Sequence, residues 1–397
     1  MSSKQAYDFD TVIDRSETGS EKWEHMKRCK PSVAKGIIPY SVADMELKNP
    51  PEITAGLKKY MDSAVLGYTG PTDSYLASVC NWMKKRHDWL VKKEWILGTP
   101  GVVNAFFQAV KAFTEPGDGV IIQPPVYYPF YAAVEGNRRT LIKNPLIFTG
   151  SKYVIDFEDL ERKAGNPKAK VLLFCSPHNP VGRVWTPEEL AKAGEICLRN
   201  NILIVSDEIH FDLIMPGHQH TVFAKVSDEL ANNMIVCTSP SKTFNLAGMQ
   251  TSNIIIPNEK IRRAFVGEMA SNGLFFLNIL GYKACEISYT ECEEWLEQLL
   301  KHIYNNHLKL KQYVERNIPQ IKAFDMEGTY LQWMDFRKLG LKKDELEKLM
   351  QYQAEVFFDE GYIFGAEGEG FERMNLACPT RIMIEGLQRL EAVLKTI

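Results

Sequence analysis

Lys242 stands in the run Thr238-Ser239-Pro240-Ser241-Lys242-Thr243-Phe244-Asn245-Leu246-Ala247-Gly248, downstream of Asp207 in Asp207-Glu208-Ile209-His210. A lysine ε-amine condenses with aldehydes, serine and threonine hydroxyls donate to phosphate, and a carboxylate keeps a pyridine nitrogen protonated. Taken singly, a lysine is usually a surface residue and a strand-end aspartate usually a cap or a solvated acid. Taken together, they suit covalent attachment of pyridoxal 5'-phosphate at Lys242, with Asp207 facing the ring nitrogen and Ser239, Ser241 and Thr243 offering donors to the phosphate.

Such a site needs elements that deliver these residues to one place. Short β-branched runs at 119–122, 170–175, 202–206, 234–238 and 253–256 read as buried strands of a largely parallel sheet. Asp207 follows one of these runs and the Lys242 loop follows another, so both emerge where open α/β sheets hold ligands. Asn179 emerges likewise, in the proline-braced turn Ser176-Pro177-His178-Asn179-Pro180-Val181-Gly182, where its amide could meet a phenolic oxygen and a substrate carboxylate. Thr99-Pro100-Gly101-Val102-Val103-Asn104 precedes an apolar helix over 105–113 and would present free amides to a phosphate. Thr186-Pro187-Glu188-Glu189 has the pattern of a capping box opening a helix that runs to about Asn200.

From about Tyr289 the apolar period becomes helical through Leu296, Leu299, Leu300, Ile303, Leu310 and Val314. Strands are expected at 329–335 and 371–377, and helices at 342–360 and 380–395. The chain therefore reads as α/β, with an N-terminal arm (1–43) packing on the small domain, a large cofactor domain (44–288) and a small α+β domain (289–397).

A length of 397 residues with 45% hydrophobic content suits two cores rather than one. A net charge of −3 without a basic stripe gives no footprint for nucleic acid, and no 18-residue apolar run suggests a membrane span. Eight scattered cysteines without a Cys-x-x-Cys pair read as reduced thiols of a cytoplasmic protein. His210, His218 and His220 lack the acidic or thiol partners of a metal site and read as solvated loop residues. Gly365, Gly368 and Gly370 do not match a dinucleotide loop and read as a mobile turn before Arg373.

The set Asn179-Pro180-x-Gly182, Asp207-Glu208-Ile209-His210 and Ser239-x-Ser241-Lys242 resembles the class I/II aminotransferases, pyridoxal-phosphate enzymes of fold type I, across nearly the whole chain. Val42-Ala43-Asp44-Met45, Pro125-Val126-Tyr127-Tyr128-Pro129-Phe130 and Lys242 to Gly248 resemble the cystathionine β-lyase or C-S lyase branch more narrowly. The resemblance implies a large domain built on a mostly parallel seven-stranded sheet and a homodimer with shared sites. It also implies roles. Lys242 would bind the cofactor and move the substrate's Cα proton, Asp207 would pair with the ring nitrogen, Asn179 with the 3' oxygen, and Tyr127 would stack on the ring. Ser239, Ser241 and the amides of Val102 and Val103 would take the phosphate, joined by Tyr68 of the neighbouring subunit. Arg373 would grip the substrate carboxylate, with Tyr128 on the substrate side.

Two positions depart from the commoner aminotransferase pattern: His210 replaces a tyrosine beside the cofactor, and Gln250 replaces an arginine eight residues after the lysine. Both departures occur in the lyase branch. The expected activity is β-cleavage of cystathionine or cysteine S-conjugates to thiol, pyruvate and ammonia. The alternatives are an aminotransferase and a cofactor-binding regulator, although residues 1–43 are too short for a DNA-binding domain.

Overall fold

In the computed structural model, which describes residues 5–396, seven strands form the main sheet. They are β1 (Ile96–Thr99), β2 (Gly119–Ile122), β3 (Thr140–Lys143), β4 (Ala169–Cys175), β5 (Leu203–Asp207), β6 (Met234–Thr238) and β7 (Ser252–Ile255), in the spatial order β1-β7-β6-β5-β4-β2-β3. Strands β2 to β6 run parallel to one another, with Leu173 opposite Val205 and Val205 opposite Ile235. Their apolar residues are almost wholly buried, as expected of parallel strands covered on both faces. Strand β7 breaks the pattern and pairs antiparallel with both β6 and β1. A parallel return needs a crossover, usually a long helix, whereas the segment joining β6 to β7 holds only the turn Pro240–Thr243 and a second short turn, Ala247–Met249. The lysine loop is thus a reversal at the carboxyl end of β6.

The helices that bear on the site are α1 (Glu21–Cys29), α2 (Asp73–His87), α3 (Val102–Phe113), α4 (Pro187–Arg199), α5 (Ile279–Glu291), α6 (Glu293–Asn317), α7 (Lys343–Lys348) and α8 (Thr380–Leu394). Helix α4 starts with the expected capping box: Thr186 Oγ1 accepts from the Glu189 amide, and the Glu189 carboxylate accepts from the Thr186 amide. Helix α3 begins earlier than the apolar pattern indicates, because Gly101 takes a φ of +91° and turns the chain into the helix at Val102. Val102 and Val103 therefore lie in its first turn, where backbone N–H groups have no partner within the helix.

A second, four-stranded antiparallel sheet is formed by β8 (Lys322–Ala323), β9 (Leu331–Asp335), β10 (Asp359–Glu360) and β11 (Phe371–Asn375), in the order β8-β9-β11-β10. Helix α6 buries Leu296, Leu299, Ile303, Leu310 and Val314 along one face. The helix expected over 342–360 is much shorter. Helix α7 ends at Lys348, a π-turn follows at Leu349–Gln353, and Glu355 adopts a φ of +50°, which ends helical geometry and lets Val356, Phe357 and Phe358 run into the core toward β10. The glycine turn before Arg373 is packed rather than open: a Cβ on Gly368 would lie 2.1 Å from the Gly361 carbonyl oxygen.

Residues ahead of Asp44 lie against the second sheet and its helices. Phe9 meets Trp295 and His302, Lys30 pairs with Glu355, and the Tyr40 amide donates to the Phe357 carbonyl at 2.8 Å. Among the described residues no helix is long and apolar enough to cross a membrane.

Candidate active site

A cavity of about 220 Å³ opens where β4, β5 and β6 end, and it is lined by Asn179, Asp207, His210, Ser241 and Lys242 together with Tyr127 and the start of α3. Lys242 is half-buried inside it, and its Nζ donates to the Ala43 carbonyl at 2.6 Å. Burial brings its pKa down to about 8, so a useful fraction of the amine is neutral near physiological pH. Asp207 is also buried, and among the described residues its carboxylate accepts only from the Ile209 amide, at 3.2 Å. Burial raises its pKa to about 7, against the opposing pull of that hydrogen bond and of Lys242. A buried acid so poorly partnered favours a cationic N–H delivered by a ligand.

The oxygen that receives Lys242 belongs to a strained segment that composition does not reveal. Val42 has a φ of +56°, a left-handed conformation that costs a β-branched residue about 1–3 kcal/mol unless the surroundings impose it. They do so here. The Asp359 carboxylate accepts from the Val42 amide at 3.0 Å, Asn375 Nδ2 donates to the Val42 carbonyl at 2.8 Å, and the Tyr330 hydroxyl donates to Ala43 O at 2.9 Å. On the other side, Asn245 accepts from the Met45 amide and donates to the Met45 and Leu47 carbonyls, which joins this segment to the lysine loop.

Arg373 is nine-tenths or more buried on β11, opposite Asp359 of β10. Its Nε and Nη2 donate to Asp359 Oδ2 and its Nη1 donates to Asn179 Oδ1 at 2.8 Å. One guanidinium therefore spans from the second sheet to the end of β4. Asp359 lay inside the segment read as helix and was missed. The apolar run Val356-Phe357-Phe358 ahead of it was the available sign of a strand.

The remaining candidates divide between the cavity and its surroundings. Val102, Val103 and Ser241 line the cavity, as does Gln250, whose Oε1 would stand 3.7 Å from a Cβ on Gly101 at the start of α3. Ser239 sits behind Ser241: its Oγ lies 2.8 Å from Ser241 Oγ and donates to the Thr251 carbonyl at 2.8 Å. Thr243 does not face the cavity at all, since its hydroxyl donates to Asp212 Oδ2, which corrects its reading as a phosphate donor. Tyr127 lines the cavity, and its amide donates to the Asn179 carbonyl at 3.1 Å. Tyr128 is 44% exposed and lies outside the lining, its ring 5.2 Å from that of Tyr127. Tyr68 is 96% exposed and rests on Phe276 on the outer surface of the chain.

His210 lines the cavity with a buried Nδ1 that has no partner, and burial holds its pKa well below the usual histidine range. His220 is buried too, 2.8 Å from Glu208. Both contradict the solvated-loop reading. A core environment, unmarked by local sequence polarity, surrounds this loop.

Residues 38–390 match the profile of the family described as Aminotransferase class I and II. The chain belongs to this family. Cystathionine beta-lyase PatB of Bacillus subtilis (strain 168) is 42% identical over 386 residues, which cover 97% of this chain and 99% of that one. Cystalysin from Treponema denticola, whose crystal structure contains pyridoxal 5'-phosphate, superposes with a TM-score of 0.98 at 51% identity, covering 99% and 100% of the two chains. A pyridoxal-phosphate-bound C-S lyase from Staphylococcus hominis gives 0.91 at 30% identity over 98% of each.

The cavity of this aminotransferase-family chain fits the same cofactor. A poorly partnered buried carboxylate, an amine with a depressed pKa, an unpartnered histidine nitrogen and an unpaired helix start offer, in turn, partners for a ring nitrogen, an aldehyde, a ring oxygen and a phosphate.

Proposed function

We propose that this protein is a pyridoxal-phosphate-dependent carbon–sulfur β-lyase that converts cystathionine or a related cysteine S-conjugate, with water, to a thiol, pyruvate and ammonia. The observation that carries the reading is the near-complete similarity to a cystathionine β-lyase and to C-S lyases around a cavity that joins Lys242, Asp207 and the Asn179–Arg373 pair.

The bound cofactor supplies the electron sink for the carbanion formed at the substrate's Cα. The chain supplies position and protons. In our assignment Lys242 holds the cofactor covalently and, once substrate has displaced it, takes the Cα proton; a pKa near 8 suits an amine that must serve as a base at neutral pH. Asp207 accepts the ring N–H and keeps the heterocycle charged. Asn179 and His210 flank the 3' oxygen, and Tyr127 covers the ring. Ser241, the α3 amides of Val102 and Val103, and Ser239 behind Ser241 bind phosphate, with Gln250 as a neutral neighbour.

Arg373 receives the substrate carboxylate. Three of its five N–H groups are occupied by Asp359 and Asn179, leaving one free on each terminal nitrogen for a two-pronged contact. With the carboxylate held there, the substrate's Cα proton would come within reach of Lys242, and its removal would precede departure of the β-thiolate. Tyr128 borders the substrate side.

We also propose a homodimer. Val65, Leu66, Tyr68, Phe275 and Phe276 are all more than half exposed, and covering them with a second copy would bring Tyr68 toward the neighbouring phosphate. The division into an arm (1–43), a large domain (44–288) and a small domain (289–397) belongs to the same proposal, with Arg373 on the small domain and Lys242 on the large one. A cytoplasmic location suits eight free cysteines, six of them buried.

The test is product analysis on purified enzyme. Pyruvate and ammonia should accumulate from cystathionine without any added 2-oxo acid. Turnover that depends wholly on a 2-oxo acid would show an aminotransferase instead, and cofactor binding without any turnover would show a regulator.

A further inference from the structure

Each of the two residues assigned to the chemistry is followed in sequence by one whose side chain enters a second buried cluster. Next to Lys242, Thr243 donates its hydroxyl to Asp212 Oδ2 at 2.8 Å. Next to Asp207, Glu208 accepts from Ser206 Oγ at 2.9 Å and the Phe223 amide at 3.0 Å, and it lies 2.8 Å from His220 Nε2. Asp212 also accepts from Trp82 Nε1 and lies 2.8 Å from His87 Nε2, both on α2. The His87 and His220 rings meet edge to face at 5.9 Å, which brings the two halves of the cluster together. Burial lowers the pKa of His87, so the neutral ring donates its Nε2 proton to Asp212.

From this arrangement we infer that Asp212 is a positioning residue for Lys242, acting through the Thr243 hydroxyl. The inference rests on the reading of Lys242 as the cofactor lysine. Lys242 lies in a turn of four residues, Pro240–Thr243, too short for helical cooperativity to stiffen. Its N-terminal side is tied by Ser239, whose hydroxyl accepts from the Ser241 amide at 3.0 Å. Its C-terminal side is tied by Thr243 to Asp212, and through Asp212 to the buried edge of α2. Among the described residues the amine between these ties has one acceptor, Ala43 O. Rotation about the backbone at Thr243 would swing it off that line, and a displacement near 1 Å lowers a rate by about a hundredfold.

The acid at 212 has a chemical reason. Its two oxygens take hydrogens from Thr243, Trp82 and His87, and an amide would turn an NH₂ group toward one of those donors. Asp212 does not line the cavity, and among the described residues its carboxylate is hydrogen-bonded to Thr243, Trp82 and His87.

The test compares Thr243→Val, Thr243→Ala and Thr243→Ser as purified holoenzymes, with Asp212→Asn alongside. The Val and Ala variants should lower kcat by about tenfold or more with KM nearly unchanged, slow uptake of pyridoxal phosphate by the apoprotein, and move the pH midpoint of the cofactor's visible band. Thr243→Ser, which keeps the hydroxyl, should restore all three, and Asp212→Asn should behave as Val does. The Ala variant places no methyl against Asp212 and repeats the measurement where Val fails to fold. Wild-type kcat, uptake and midpoint in the Ala variant, or equal impairment of Ala and Ser, would overturn the inference. Lys242→Ala separates the two readings: cofactor that borohydride still fixes covalently to this variant defeats the assignment of the lysine and the inference with it, whereas its loss there with wild-type behaviour of Thr243→Ala defeats the inference alone.

Discussion

Replacing Arg373 by lysine keeps the charge and removes the fork, so it isolates what the guanidinium geometry contributes. In the structure Nε, Nη1 and Nη2 already serve Asp359 and Asn179, and two N–H groups remain for a carboxylate. A lysine has three N–H groups. If it keeps one contact to Asp359 and one to Asn179, a single donor is left for the substrate, and one charge-assisted hydrogen bond is lost at a cost of about 1.5–3 kcal/mol. That range corresponds to a fall in kcat/KM of about 10- to 150-fold. The assay is pyruvate release under subsaturating substrate, with the visible spectrum and cofactor affinity as controls that should move little, since the substitution keeps the positive charge that bears on Lys242. A loss under about threefold, or a loss of cofactor in parallel with activity, would refute this use of Arg373. Arg373→Met makes the complementary measurement. It leaves Asp359 buried without its cation, so the melting temperature should fall by the equivalent of about 3–5 kcal/mol, a drop that Arg373→Lys should largely avoid.

Three further outcomes are expected. In apoprotein, Asp207 binds its proton more tightly folded than unfolded, so its contribution to stability is present below about pH 4 and is lost as the pH rises through about 7; the wild type should therefore lose melting temperature relative to Asp207→Asn across that window, and a constant difference would contradict it. Mixed dimers of Lys242→Ala with Tyr68→Ala should regain activity that neither variant has alone, because one site of each mixed dimer would combine an intact lysine with an intact tyrosine; no recovery after subunit exchange would reject a shared site. Thr186→Ala should destabilise the protein by about 1 kcal/mol in denaturant titration without changing kcat, as loss of the α4 capping box alone requires.

What was legible in the sequence was what depends on neighbours along the chain. The runs ending at Cys175, Asp207 and Thr238 are largely apolar because both sheet faces are covered, and from this the carboxyl-end placement of Asn179, Asp207 and Lys242 follows. The capping box at Thr186 is local in the same sense. Asp359 was illegible because its role is set by register: the apolar run Val356-Phe357-Phe358 hints at a strand ahead of it, but it faces Arg373 only through the pairing of β10 with β11. The buried state of His210 and His220 was hidden for a related reason, since the polarity around them is that of a loop while their packing comes from Tyr330 and from the cluster beside α2. Ala43 was beyond reach altogether, because a backbone carbonyl carries no residue signature and its aim depends on Val42 being forced to a positive φ by Asp359 and Asn375. Asp359 holds Arg373 with the same oxygen that holds the Val42 amide, and Ala43 holds Lys242, so the groups assigned to the substrate's carboxylate and to its Cα proton are joined through one strained segment. That coupling exists only in three dimensions, and a single sequence reports its end points, Arg373 and Lys242, without the path between them.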